Sequence, residues 1–124
     1  MVAENTPFVI LQEKMLRLQA SREKLFVAVS QQCDPRALSI IGEFLVNYDN
    51  EIKAYTLSLG KSQLIPQDMT LLASAFSQLS KLNDLRKSSS LLSRAPALES
   101  ELLKMMSEMT AISRFIVQCA ELGL

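Results

Sequence analysis

The 124-residue sequence contains no histidine and no tryptophan, and only three glycines, four prolines and two cysteines. Each shortage removes a class of chemistry. Without histidine the chain has neither the commonest general base nor the commonest metal ligand. A histidine phosphotransfer bundle is excluded, and so is a bundle di-iron site built on Glu-x-x-His. Zinc held by mixed histidine and cysteine ligands is excluded as well, and two cysteines cannot close a structural zinc site by themselves. There is no phosphate-cradling glycine loop. A nucleotide-hydrolysing enzyme or a Ser-His-Asp hydrolase therefore does not fit. Two cysteines are too few for a disulfide framework and suit a reducing compartment.

Excess charge is also lacking. Thirteen basic residues balance thirteen acidic ones, for a formal net charge of zero. Binding to a nucleic-acid backbone needs a basic face, so no nucleic acid is expected as a partner, nor an anionic membrane surface. No apolar run approaches the roughly 20 residues of a membrane span. The N-terminus "MVAENTPFVILQEKML" has neither the basic leader nor the small-residue cleavage site of a signal peptide. These features predict a cytoplasmic protein, with residues 1–124 as a single helical-bundle domain. What the chain has in quantity is apolar residues, 48% of the total. That is enough for a real core and argues against disorder.

The four prolines, Pro7, Pro35, Pro66 and Pro96, each stand where an apolar periodic stretch begins. Proline suits the first turn of a helix, where its missing N–H would be unpaired anyway. Thr6 and Asp34 precede two of them as N-caps do. Gly60 and Gly123 stand where the second and fourth stretches stop, as C-terminal caps do. Gly42 lies inside the second stretch, at a cost of about 1 kcal/mol relative to alanine, and a close helix crossing is the expected reason.

Leu38, Ile41, Leu45, Tyr48, Ile52, Tyr55 and Leu59 step by three and four without a break. Leu98, Leu102, Met105, Met109, Ile112, Ile116 and Cys119 do the same. This is the seam of a coiled-coil-like bundle. The first stretch carries Phe8, Leu11, Met15, Leu18, Leu25 and Val29 on one stripe, interrupted by Arg22. The third is less regular, with Leu72, Phe76, Leu79 and Leu82. The pattern predicts an all-α, antiparallel up-down-up-down four-helix bundle with helices at approximately 7–32, 35–59, 66–88 and 96–122. Three consecutive serines, Ser88 to Ser90, are poor helix formers and mark the softest region, where the third helix ends or frays.

Little in the chain looks like chemistry. Cys33 stands near a helix start, where the dipole lowers a thiol pKa, but Asp34 beside it works the other way. A small packed residue is the expectation. Cys33 and Cys119 fall at opposite ends of such a bundle, too far apart to be bridged, so both are expected as free thiols. Asp49 with Glu51, and Glu99 with Glu101, are expected on solvated helix surface. Lys81, Arg86, Lys87 and Arg94 form a basic cluster around the serines. It suits either helix C-terminal charges complementing the dipole or an anion site, with the serines open to phosphorylation. No catalytic residue, metal or cofactor is indicated.

The positive signal is surplus apolar surface. Phe8, Val9, Leu16, Phe26 and Val27 on the first helix, and Leu103, Met106 and Phe115 on the fourth, exceed what a two-per-turn seam needs. Methionine adapts to irregular partners. These residues point to a second buried face, with Phe8, Val9, Phe26, Val27, Leu103, Met106 and Phe115 as candidate partner contacts. The functional expectation is a non-enzymatic protein-binding module, a small helical chaperone, adaptor or regulatory subunit that engages a partner's amphipathic helix. The alternatives are a self-assembling homodimer or higher oligomer and, more remotely, a small redox protein using Cys33.

Overall fold

The apolar repeats become four helices in chain order: α1 (Thr6–Gln32), α2 (Pro35–Lys61), α3 (Thr70–Ser88) and α4 (Pro96–Glu121). The computed structural model describes residues 6–32, 34–61, 69–93 and 95–123, and among these there is no strand. At 1.5 Å per residue the longer helices run to about 40 Å. No helix among the described residues is long and apolar enough to cross a membrane.

The helix ends show which signals act. Asp34 caps α2: its Oδ1 accepts a hydrogen bond from the backbone N–H of Arg36 at 2.8 Å, with Pro35 as the first helical residue. The Arg36 guanidinium lies 3.4 Å from the same carboxylate. At α4, Ala95 occupies the cap position without a side-chain bond, and Pro96 opens the helix with Glu99 in its first turn. Gly123 ends α4 with φ +75°. Its N–H donates to the Ala120 carbonyl at 3.1 Å, the left-handed termination that glycine permits.

α3 begins at Thr70, with Met69 before it, and the expected start at residue 66 falls outside the described residues. Two other expectations need correction. Gly60 does not stop α2, which continues to Lys61. Gly42 marks no close crossing, because a Cβ built there meets nothing within 4 Å. The proposed capping side chain of Thr6, and Cys33, Pro66 and Arg94, lie outside the described residues or side chains.

The predicted stripes form the core. All seven seam residues of α4 are buried, as are Leu11, Met15, Leu18, Leu25 and Val29 of α1. From α2 come Ile41, Leu45, Tyr48 and Tyr55, and from α3 Leu72, Ala75, Leu79 and Leu82. The serine-rich connection is anchored as well. Beyond the end of α3 at Ser88, Leu92 and Ala95 are buried and plug the core. The basic cluster is partly consumed here. Arg86 donates to Asn83 Oδ1 at 3.0 Å and lies 3.5 Å from Glu99 of α4.

The helices do not all pack alike. α1 packs along α4, α2 along α3, and α3 meets α4 along a shorter seam. α1 and α2 share no comparable seam, although only residues 33 and 34 separate them in sequence. α1 and α4 run antiparallel, for Lys14 lies over the Phe115 ring at 5.6 Å and Ser21 Oγ donates to Glu108 Oε1 at 2.9 Å.

Two outcomes are expected. Gly42→Ala should raise stability by about 0.5–1 kcal/mol in urea unfolding, from lower chain entropy in the unfolded state and better helix propensity. A loss would mean that a neighbour does occupy that space. Asp34→Ala should lower the unfolding midpoint, whereas Asp34→Asn should largely retain it. The Arg36 backbone N–H, followed by the Arg36 side chain, holds the Asp34 carboxyl below its ordinary value. Its contribution is therefore present above the ordinary carboxylate pKa and lost as pH falls through the lowered folded value. The Asp34→Ala variant should lack that acid-side dependence.

Candidate functional site

Where α1 and α2 fail to close, a groove remains. Its α1 wall consists of Gln12, Met15, Leu16, Gln19, Arg22 and Glu23. Its α2 wall consists of Tyr48, Asp49, Ile52, Lys53, Thr56 and Leu57. The volume is about 690 Å³. The α1 wall from residue 12 to residue 23 spans about 16 Å at helical rise, three turns of a helix laid alongside. Met15, Tyr48 and Ile52 make an apolar floor. Leu16 and Leu57 stand on the rim, 64% and 59% exposed.

The sequence accounts for the opening. Gln12 and Gln19 are seven residues apart on one edge of α1, and Arg22 stands where the apolar stripe calls for a hydrophobe. On α2, Gly42, Asp49 and Thr56 repeat at the same interval. Side chains seven apart share a helix face, so two polar edges meet across the α1–α2 seam and do not knit together. Arg22 and Asp49 span it instead. Arg22 Nε and Nη2 donate to the two carboxylate oxygens at 3.0 and 2.7 Å. The hydrogen bond to Asp49 raises the Arg22 pKa against the opposing effect of burial, so the guanidinium stays charged. Its plane also lies 5.5 Å from the Phe26 ring centroid. Asp49, expected on solvated surface, is thus a bridging residue, because an i+27 partner lies beyond any local sequence rule.

One buried polar atom without a partner belongs to a residue that lines this groove. Tyr48 is 2% exposed, yet its hydroxyl has no hydrogen-bond partner among the described residues. The Tyr55 hydroxyl and one oxygen each of Glu101 and Glu108 are in the same condition. Glu101, expected as solvated surface, therefore turns one oxygen inward beside α1. Burial pushes the Tyr55 hydroxyl up to about 12. Burial raises Tyr48 well above its ordinary value too, helped by the charges of Asp49 and Glu108 and opposed by Arg22. Both phenols are neutral donors at neutral pH. A shallower notch of about 430 Å³ lies between α1 and α4, with Val27, Ala28 and Glu101 among its lining residues.

The candidate partner contacts read from the sequence do not form one patch. Val9, Phe26, Val27 and Leu103 are exposed, whereas Phe8, Met106 and Phe115 are half-buried against the core. Val9, Leu16 and Val27 follow one outward line on α1, Phe26 lies on the α2-facing edge beside Arg22, and Leu103 is on α4. The sequence pattern marks Leu16 and the interruption at Arg22 but does not join them with Leu57 into a groove. The polar edges of α1 and α2 were the signal available. Cys119 is a free, buried thiol, and burial raises its pKa, the opposite of activation.

Removing a buried hydroxyl that has no partner relieves its desolvation cost. Tyr48→Phe and Tyr55→Phe should therefore leave stability unchanged or raise it. A loss above about 1 kcal/mol in chemical denaturation would show that the hydroxyl is bonded in the folded protein. Unfolded phenols ionise near pH 10, below the folded values. Stability due to the neutral form is thus complete below about pH 10 and falls as pH rises toward about 12, through the folded pKa of Tyr55. Denaturation midpoints measured from about pH 8 to 12 should fall less steeply in Tyr55→Phe.

No protein-family model, no curated protein and no solved structure matches this chain, and the groove stands on its own chemistry.

Proposed function

We propose that the protein is a non-enzymatic binding module that seats an amphipathic helix of a partner protein between α1 and α2. The observation that carries this reading is the open seam itself. Two neighbouring helices present an apolar floor, an apolar rim and about three turns of length where they share no seam as close as α1–α4 or α2–α3. A helix laid there would bury Leu16 and Leu57, each worth about 1.5–3 kcal/mol on full burial. It would complete the seam as a fifth helix, with its i, i+3, i+4 and i+7 side chains as anchors. The flexible Met15 on the floor suits an irregular guest.

This reading moves the binding face away from most of the residues singled out by surplus hydrophobicity. Of those, Phe26 continues the α1 wall beyond Arg22, Val27 stands in line with Leu16 but borders the notch toward α4, and Leu103 lies on α4. A partner recovered from the native source by co-purification should be lost on Leu16→Glu and Leu57→Glu, with binding at least tenfold weaker. Leu103→Glu should retain it. All three sites are exposed, so stability should change by no more than about 0.5 kcal/mol. Equal loss in all three variants, or in none, would overturn the assignment. A dimer in sedimentation that dissociates on Leu16→Glu would instead make the guest a second copy of this chain.

A further inference from the structure

We infer that the Arg22–Asp49 pair is a strap that holds the α1–α2 groove open, and that an apolar pair in its place would draw the two helices together into an ordinary packed seam. The inference rests on the groove reading for its purpose, since a strap matters only where the opening is used, but its geometry is testable without a partner.

The place of the pair in the fold leads to it. On α1, Leu11, Met15, Leu18, Leu25 and Val29 step along one stripe and are all buried. Arg22 takes the step in that series where a hydrophobe would continue the stripe. Both members of the pair line the groove. Arg22 Nε and Nη2 donate to the two Asp49 oxygens at 3.0 and 2.7 Å, a two-pronged geometry that fixes the orientation of the guanidinium as well as its distance. The Phe26 ring, with its centroid 5.5 Å from the guanidinium carbon, favours the same position from the α1 side. Among the described residues this pair is the hydrogen-bonded tie between α1 and α2, which share no seam as close as α1–α4 or α2–α3.

Two physical properties make such a tie a spacer. The first is reach. The distance between packed helices depends on the side chains at the contact, and an arginine meeting an aspartate end to end spans more than two interdigitated leucines. The second is hydration. The side chains are 18% and 43% exposed, so water reaches the pair from the groove. Closing the helices over it would strip that water, and the desolvation of two charges can exceed what their attraction returns. An apolar pair carries no such penalty, and closure would cover the exposed Leu16 and Leu57 of the rim. The strap thus gives up stability to keep a face open.

The test uses the full chain with spin labels at Gln19 and Lys53, exposed residues on opposite walls of the groove, in a Cys33→Ser, Cys119→Ala background. With Arg22→Met and Asp49→Leu together, the label separation should shorten as the helices approach the spacing of a packed pair, about 8–10 Å between axes. The unfolding equilibrium constant should fall roughly tenfold. Asp49→Leu alone leaves the Arg22 charge unpaired, so that constant should rise roughly tenfold or more, with no shortening. Asp49→Asn, which keeps an acceptor of the same shape, should keep the separation. An unchanged separation in the double variant would overturn the strap. So would a double variant less stable than the native chain, because the pair would then be a stabilising bridge and not a spacer. A shortened separation with partner capture undiminished would uphold the strap and overturn the groove as the binding face. An unchanged separation with capture lost on Leu16→Glu and Leu57→Glu would overturn the strap and leave the groove reading standing.

Discussion

A guanidinium cannot sit in an apolar stripe without a counter-charge, since an unpaired buried charge costs several kcal/mol. Arg22 holds such a place on α1, between Leu18 and Leu25. Its partner, Asp49, comes from the neighbouring helix, and the two meet in a bidentate pair that keeps both wetted at one side. That pairing fixes the character of the α1–α2 seam. The helices are tied at one level by charge and not zipped along their length by leucine. The groove, its exposed rim and the buried phenol beside it all follow from this substitution of an ion pair for a hydrophobic contact.

The remainder of the assembly is a sequence of pairwise seams. α4 holds α1 on one side and α3 on the other, and α2 is attached chiefly through α3. The α4 repeat is accordingly the most regular in the chain and the most completely buried. Polar links reinforce both of its edges. Ser21 with Glu108 and Lys14 with Phe115 lie toward α1, and Arg86 with Glu99 lies toward α3. Among the described residues α1 is joined to α2 by the Arg22–Asp49 pair, and the helix closest to α2 in sequence is not its main packing partner.

The helices and their buried faces could be read from the amino acids because period and burial share one cause. A side chain at i, i+3 or i+4 is inside or outside according to its helix face. The stripe of α4 from Leu98 to Cys119 is buried without exception. Which neighbour a face meets is a different quantity. Nothing local distinguishes an edge of α1 that packs on α4 from one that lines a groove, and Arg22 finds Asp49 27 positions away. Hence the sequence pattern places Asp49 and Glu101 on solvated surface, and Gly42 at a crossing that does not occur. The hydrophobic surplus was real, with Val9, Phe26, Val27 and Leu103 all exposed. Half-buried Phe8, Met106 and Phe115 show that part of it widens the core.

The pairing of α1 with α4 also sets the order in which the chain can come together. Ser21 and Glu108, which meet across that seam, are 87 positions apart. The entropy of closing a loop grows with its length, and contacts of large sequence separation are slow to form because that cost precedes any gain from packing. The α2–α3 seam joins consecutive helices and closes a much shorter loop. The apolar face of α1 is therefore the last to find its cover, and it stays in water until α4 has been brought back beside it.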